Sequence, residues 1–114
     1  MDSVNIERFD DYAAEAHKTA IYPKDKAIEY LALGLAGEAG EVANKVKKIM
    51  RGDSKINLDE IADELGDVMW YLSELSAIVV KDEGAPLALV ASRNIQKLRD
   101  RAKRGMIKGA GDNR

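Results

Sequence analysis

The sequence predicts an all-α fold, a four-helix bundle whose core is completed by homo-oligomerisation. Three observations carry this expectation. Apolar residues recur at the three-to-four spacing of a helix through most of the 114 residues. No segment alternates apolar and polar residues with the β-branched enrichment of a strand. Proline and glycine at Pro23, Gly52, Gly84 and Pro86 divide the periodic stretches into four. Four helices in so short a chain enclose a small core, and long helices that bury one face call for a partner subunit.

The first helix is expected over residues 5–19, with Ile6, Phe9, Tyr12, Ala13 and Ala16 on one stripe. Ile21-Tyr22-Pro23 ends it, because the residue before a proline avoids the helical region. The second helix is expected over 26–50, closed by Arg51-Gly52-Asp53 with a glycine in the usual position past the C-terminus. The third starts at Asn57 or Leu58, with Asp59 and Glu60 suited to the dipole of its first turn, and runs to residue 81. Pro86 opens the fourth, which ends at residue 104. Residues 1–104 are therefore read as one helical domain, and 105–114, with three glycines and no apolar period, as a basic C-terminal tail.

Composition excludes several kinds of chemistry. The chain has no cysteine, so disulfides, thiolate zinc sites and a cysteine nucleophile are ruled out. A single histidine, His17, rules out any centre built from several imidazoles, including the Glu-x-x-His di-iron bundles. No apolar run approaches the ~20 residues that span a bilayer, and the acidic N-terminus has no leader-like apolar stretch. Cytoplasmic residence and no membrane partner are the expectation. The net charge is −2. Residues 93–114 hold eight basic side chains against Asp100 and Asp112, which leaves the rest of the chain strongly acidic.

Two acidic pairs carry the chemistry. Glu38-Ala-Gly-Glu41 lies on the second helix and Glu64-Leu-Gly-Asp67 on the third. An i,i+3 spacing sets both carboxylates of a pair on one side of a helix. Ile28, Leu31, Leu35, Val42, Val46 and Ile49 centre the apolar stripe of the second helix. At about 100° per residue, Glu38 falls about 50° from that centre and Glu41 about 110°. Ile61, Leu65, Val68, Leu72, Leu75 and Val79 mark the third helix, with Glu64 about 60° and Asp67 about 120° off its centre. The first acid of each pair leans inward, and if the two helices pack antiparallel the carboxylates can converge. Converging carboxylates need a counter-charge, which a hard, oxygen-loving cation such as Mg²⁺ supplies. The alternative is two solvated shoulders paired with Lys45, Lys47 and Lys48. Gly34, Gly37, Gly40 and Gly66 each cost about 1 kcal/mol inside a helix, which points to close backbone approach. Tyr71 projects about 20° from Glu64, on the acidic side, whereas Trp70 points about 120° away and is expected to pack at a helix or subunit contact. His17 is expected at the surface or on a pocket wall.

Three stretches then resemble one family. They are Leu33-Gly-Leu-Ala-Gly-Glu-Ala-Gly-Glu-Val-Ala-Asn-Lys-Val-Lys-Lys48, Asp63-Glu-Leu-Gly-Asp-Val-Met-Trp-Tyr-Leu72 and Asn94-Ile-Gln-Lys-Leu-Arg-Asp-Arg101. Together they resemble the MazG-like all-α nucleoside triphosphate pyrophosphohydrolases, in their small single-domain form. The resemblance implies hydrolysis of a nucleoside triphosphate to the monophosphate and pyrophosphate with Mg²⁺, Mn²⁺ being a substitute, in a homodimer or homotetramer. It implies that Glu38, Glu41, Glu64 and Asp67 bind metal, with Glu38 or Glu41 acting on the attacking water. It sets Tyr71 near the sugar or phosphates, Asn94, Lys97 and Arg101 on the phosphates, and Tyr22 against the base. Some members carry a further Glu where this chain has Gly37. Two other classes compete. One is a nucleic-acid-binding module using the basic last helix, against which the pI near 5.4 weighs. The other is a helical oligomerisation domain without catalysis.

Overall fold

The computed structural model describes residues 3–52, 55, 57–81 and 84–108. They form four α-helices and one 3₁₀ turn, with no strand among the described residues. The helices are α1, Phe9–His17; α2, Ala27–Met50; α3, Leu58–Val79; and α4, Pro86–Lys108. The 3₁₀ turn, Lys24–Lys26, leads into α2.

Local chemistry sets the ends. α1 is shorter than its periodicity suggests. Arg8 is extended (φ −128°, ψ 147°) and supplies no side-chain cap. At the other end both the backbone N–H and the hydroxyl of Thr19 fold back onto the Ala16 carbonyl, at 3.0 and 2.7 Å. The helix therefore stops before Pro23. Gly52 takes φ +82°, the left-handed conformation that a helix C-terminus favours and that glycine adopts without strain. Asn57 caps α3, its side-chain oxygen accepting from the Glu60 N–H at 3.2 Å. α4 continues through Gly105 to Lys108, four residues past the expected end at Arg104. The remainder of the expected tail, residues 109–114, lies outside the described residues.

α2 and α3 form the hairpin at the centre of the fold, and α3 also touches α1 and α4. Two contacts fix the hairpin's register. The Tyr71 ring lies on Gly34, and the Lys45 ammonium lies 3.6 Å from Glu60. The chain directions are thus opposed, and the same register sets Glu38 opposite Asp67 and Glu41 opposite Glu64. α4 packs on α3 and α1 and makes no helix contact with α2.

The core is small. Ala16, Leu31 and Leu87 are its buried apolar residues among those described. On α3 the buried positions are polar (Ser73, Glu74 and Ser76), while Leu65, Leu72 and Val79 of the expected inward stripe are exposed. Leu33, Met50, Leu58 and Met69 are exposed as well. Of the four glycines read as close approaches, only Gly34 is one. A β-carbon at Gly37, Gly40 or Gly66 meets open space.

Candidate active site

The α2–α3 register brings three motif carboxylates together. Glu38, Glu64 and Asp67 each present an oxygen, and these oxygens lie within 4.8 Å of one another. Glu38 and Glu64 are half-buried and Asp67 is exposed. The inward lean of the first acid in each pair thus follows the helical phase. Glu41 is exposed and stands outside this group, one turn along α2.

Burial, then the charges of Asp67 and Glu64, hold the Glu38 carboxyl above the usual carboxylate range. A hydrogen bond with Glu64 and the charge of Glu41 push in the same direction. None of the ion pairs between described residues involves Glu38, Glu64 or Asp67. Lys45, one of the lysines that a solvated-shoulder reading pairs with these acids, bonds Glu60 instead. Three oxygens at this spacing, with no ion pair to them among the described residues, could hold a hard divalent cation.

Beside the acids opens a cleft of about 380 Å³ lined by Thr19, Glu38, Asp67, Trp70 and Tyr71. Trp70 therefore faces the cleft and is not confined to a helix or subunit contact. Projection by Cα angle misjudges it because the indole reaches across to the end of α1. There its Nε1 donates to Thr19 Oγ1 at 2.8 Å and to the Ala16 carbonyl at 3.2 Å. Tyr71 meets Trp70 edge-on, with ring centroids 5.0 Å apart. Burial, Tyr30 and the charges of Glu38 and Asp67 raise the Tyr71 phenol.

Tyr22 stands behind this wall and is not among the residues that line the cleft. It stacks on Tyr30 at 6.0 Å and meets Trp70 edge-on at 6.3 Å. Its hydroxyl donates to the Glu74 carboxylate at 2.9 Å. Glu74, 2% exposed, also accepts from His17 Nδ1 at 3.2 and 3.3 Å. Sequence reasoning passed over Glu74, although a signal was present. Asp67, Tyr71 and Glu74 follow one another at i, i+4 and i+7, a single face of α3. His17 is an exposed residue whose ring is tied to that buried acid. Tyr12 of α1 belongs to the same neighbourhood, since burial and the charges of Asp67 and Glu74 raise its phenol.

Asn94 and Lys97 of α4 are exposed and Arg101 is half-buried. None of the three lines the cleft within one chain. The Nε of Arg101 is buried and lacks a hydrogen-bond partner among the described residues.

Residues 26–106 match the MazG nucleotide pyrophosphohydrolase domain, a span that takes in both acidic pairs, the aromatic wall of α3 and nearly all of α4. The chain is 44% identical to the Gene 37 protein of Mycobacterium phage L5, over 92% of this chain and 97% of that one. No solved structure matches it significantly. With its acidic motif intact and its carboxylates gathered at the α2–α3 hairpin, the chain belongs to the MazG nucleotide pyrophosphohydrolase family.

Proposed function

We propose that this protein hydrolyses a nucleoside triphosphate to the monophosphate and pyrophosphate, with Mg²⁺ or Mn²⁺ as cofactor. The observation that carries the reading is the meeting of Glu38, Glu64 and Asp67 at one end of a cleft walled by Trp70 and Tyr71. An acidic cluster beside flat aromatic rings suits a ligand with a phosphate chain at one end and a planar ring at the other.

Glu38, Glu64 and Asp67 would hold the cation, with Glu41 completing the motif's set of four. When bound, the metal neutralises phosphate charge and makes water more acidic. Glu41, outside the three-carboxylate group, orients the attacking water and accepts its proton. The water oxygen bonds to the α-phosphorus, and the bond from that phosphorus to the bridging oxygen breaks. Pyrophosphate leaves with the electron pair. Asn94, Lys97 and Arg101 meet the phosphate chain, where an arginine fork matches paired oxygens. The buried Arg101 Nε without a described partner supports that role. Tyr71 packs near the sugar or phosphates, and Tyr22 supports the aromatic wall on the base side.

The active form is a homodimer or homotetramer. The exposed apolar side chains Leu33, Met50, Leu65, Met69 and Val79 support this reading. No described helix is long and apolar enough to cross a membrane, and we place the activity in the cytoplasm, where nucleotides are. Incubation of the purified protein with each ribo- and deoxynucleoside triphosphate plus Mg²⁺, scoring monophosphate and pyrophosphate, tests the proposal. Release of inorganic phosphate, or no turnover of any nucleotide, contradicts it.

A further inference from the structure

We propose that the loop end of the α2–α3 hairpin carries a second anion site, apart from the acid group, in which Lys45, Lys48 and Lys55 hold one phosphate-type group. The occupant is orthophosphate or one end of pyrophosphate. This goes beyond the pyrophosphohydrolase reading and does not rest on it.

The seam between α2 and α3 changes sign along its length. Glu38, Glu41, Lys45 and Lys48 follow at i, i+3, i+7 and i+10, one face of α2. Asn57, Glu60, Glu64 and Asp67 repeat that spacing on α3. The antiparallel register sets acid against acid, then Lys45 against Glu60, then Lys48 toward Asn57. At that end lies a cavity of about 110 Å³ lined by Lys45, Lys48, Lys55, Asn57 and Glu60. Ile49 and Ile61, both half-buried, complete its wall. Lys48 is ten residues beyond Glu38, about 15 Å along the helix, so the cavity is separate from the acid group.

Three ammonium groups thus share a cavity with one carboxylate. That carboxylate answers one of them, and loosely. The Lys45 ammonium lies 3.6 Å from Glu60, beyond the roughly 2.7–2.9 Å of a close charge-assisted bond. No ion pair between described residues involves Lys48 or Lys55. The Asn57 side-chain oxygen accepts from the Glu60 N–H, which leaves the amide NH₂ as the group that can donate. Apart from Glu60, the polar side-chain groups left to meet an occupant are donors, and the surplus charge is positive. Like charges around one cavity repel, and an anion among them gives each an opposite charge. The two isoleucines lower the local dielectric and strengthen that attraction.

Size and chemistry narrow the occupant. At about 30 Å³ per water, the cavity has room for roughly four waters, and so for one small tetrahedral anion but not for a nucleotide base or a peptide. No arginine lines it to offer the planar fork that suits a carboxylate, whereas lysines are point charges with rotatable donors.

The test is equilibrium dialysis of the full-length protein with radiolabelled orthophosphate or pyrophosphate, in EDTA and at low salt. Without divalent metal the acid group repels anions, and low salt keeps exposed charges unscreened. Retention of one anion per chain is expected. Lys48→Gln and Lys55→Gln are each expected to weaken it about tenfold or more, with helicity unchanged by circular dichroism. Lys103→Gln, which removes the same charge from an exposed position on α4, is expected to have little effect. Pyrophosphate held about tenfold more tightly than orthophosphate names pyrophosphate as the occupant, and equal affinities name orthophosphate; either supports the site. Retention of neither anion overturns the proposal, as does equal weakening in all three variants, the mark of unspecific attraction. Neither metal nor nucleotide is present, so failure here leaves the pyrophosphohydrolase reading intact. Binding without any nucleotide turnover in Mg²⁺ removes that reading and leaves this site standing.

Discussion

The ring of Tyr71 occupies the space that a β-carbon on Gly34 would need. This contact lets α2 and α3 approach closely one turn away from the point where Glu38 faces Asp67. A packing detail in the hairpin and the geometry of the acid group are therefore linked through two residues that carry no charge.

Gly34→Ala tests that link. Alanine raises helix propensity by about 1 kcal/mol, while overpacking against Tyr71 costs about 1–3 kcal/mol. A net loss of about 1 kcal/mol in urea unfolding is expected, with turnover lowered because the wall and the acids shift together. In a Tyr71→Ala background the same substitution is expected to become neutral or stabilising, since the clash partner is gone. Equal effects in both backgrounds show that the ring does not set the approach.

Removal of one carboxylate has opposite effects with and without metal. Without metal, Glu38→Gln relieves the repulsion from Asp67 and Glu64 that holds the Glu38 carboxyl high, so the variant is expected to melt above the wild type. With Mg²⁺ at a hundredfold excess over its dissociation constant, the wild type gains about 2.7 kcal/mol, and the variant gains much less. Asp67→Asn and Glu64→Gln follow the same pattern. Turnover falls at least about a hundredfold in each, a loss of about 2.7 kcal/mol of transition-state stabilisation. Thermal melts with and without Mg²⁺, with helicity checked by circular dichroism, decide it. A variant that keeps the full Mg²⁺ response removes its residue from the metal site.

The acidic motif and the existence of four helices were legible in the sequence because both rest on period. An i,i+3 pair and an apolar stripe project onto a helix face without knowledge of its neighbours. The antiparallel register is then fixed by Tyr71 on Gly34 and Lys45 beside Glu60. Trp70 and Glu74 were not legible in this way. Trp70 reaches the cleft through the length of its side chain and its bonds to Thr19 and Ala16, and both partners lie in the segment around the end of α1, more than fifty residues earlier. Glu74 is buried because Tyr22 and His17 supply donors from that same segment. The exposed Leu65, Leu72 and Val79 show the converse, since an apolar stripe marks what is to be covered and not which helix covers it.

The alkaline side of stability belongs to Tyr22. Burial and then the Glu74 carboxylate push its phenol from 10.0 up to about 12. The folded state therefore holds a proton that the unfolded chain releases first. The stabilising contribution is complete below pH 10 and is lost as the pH climbs through about 12. Absorbance titration of tyrosinate is expected to show a late step near pH 12. Tyr22→Phe should remove that step, and Glu74→Ala should bring it down toward the ordinary value. An unchanged profile in both variants assigns the late step to another tyrosine.

Leu65 and Met69 of α3 are 52% and 42% exposed, one turn apart on the helix that carries Glu64 and Asp67. Full burial of such a side chain is worth about 1.5–3 kcal/mol, so an uncovered pair on a helix with polar buried positions is costly in a lone chain. In the oligomer proposed above, a second copy seated there would cover them and stiffen the helix that presents the acids. Leu65→Glu places a charge at the contact without touching the cleft lining. The variant is expected to run as a monomer by light scattering, to melt lower, and to lose turnover in proportion to the loss of assembly. If Leu65→Glu keeps the wild-type mass, the subunit contact lies on another face, and the exposed α2 residues Leu33 and Met50 are the next to test.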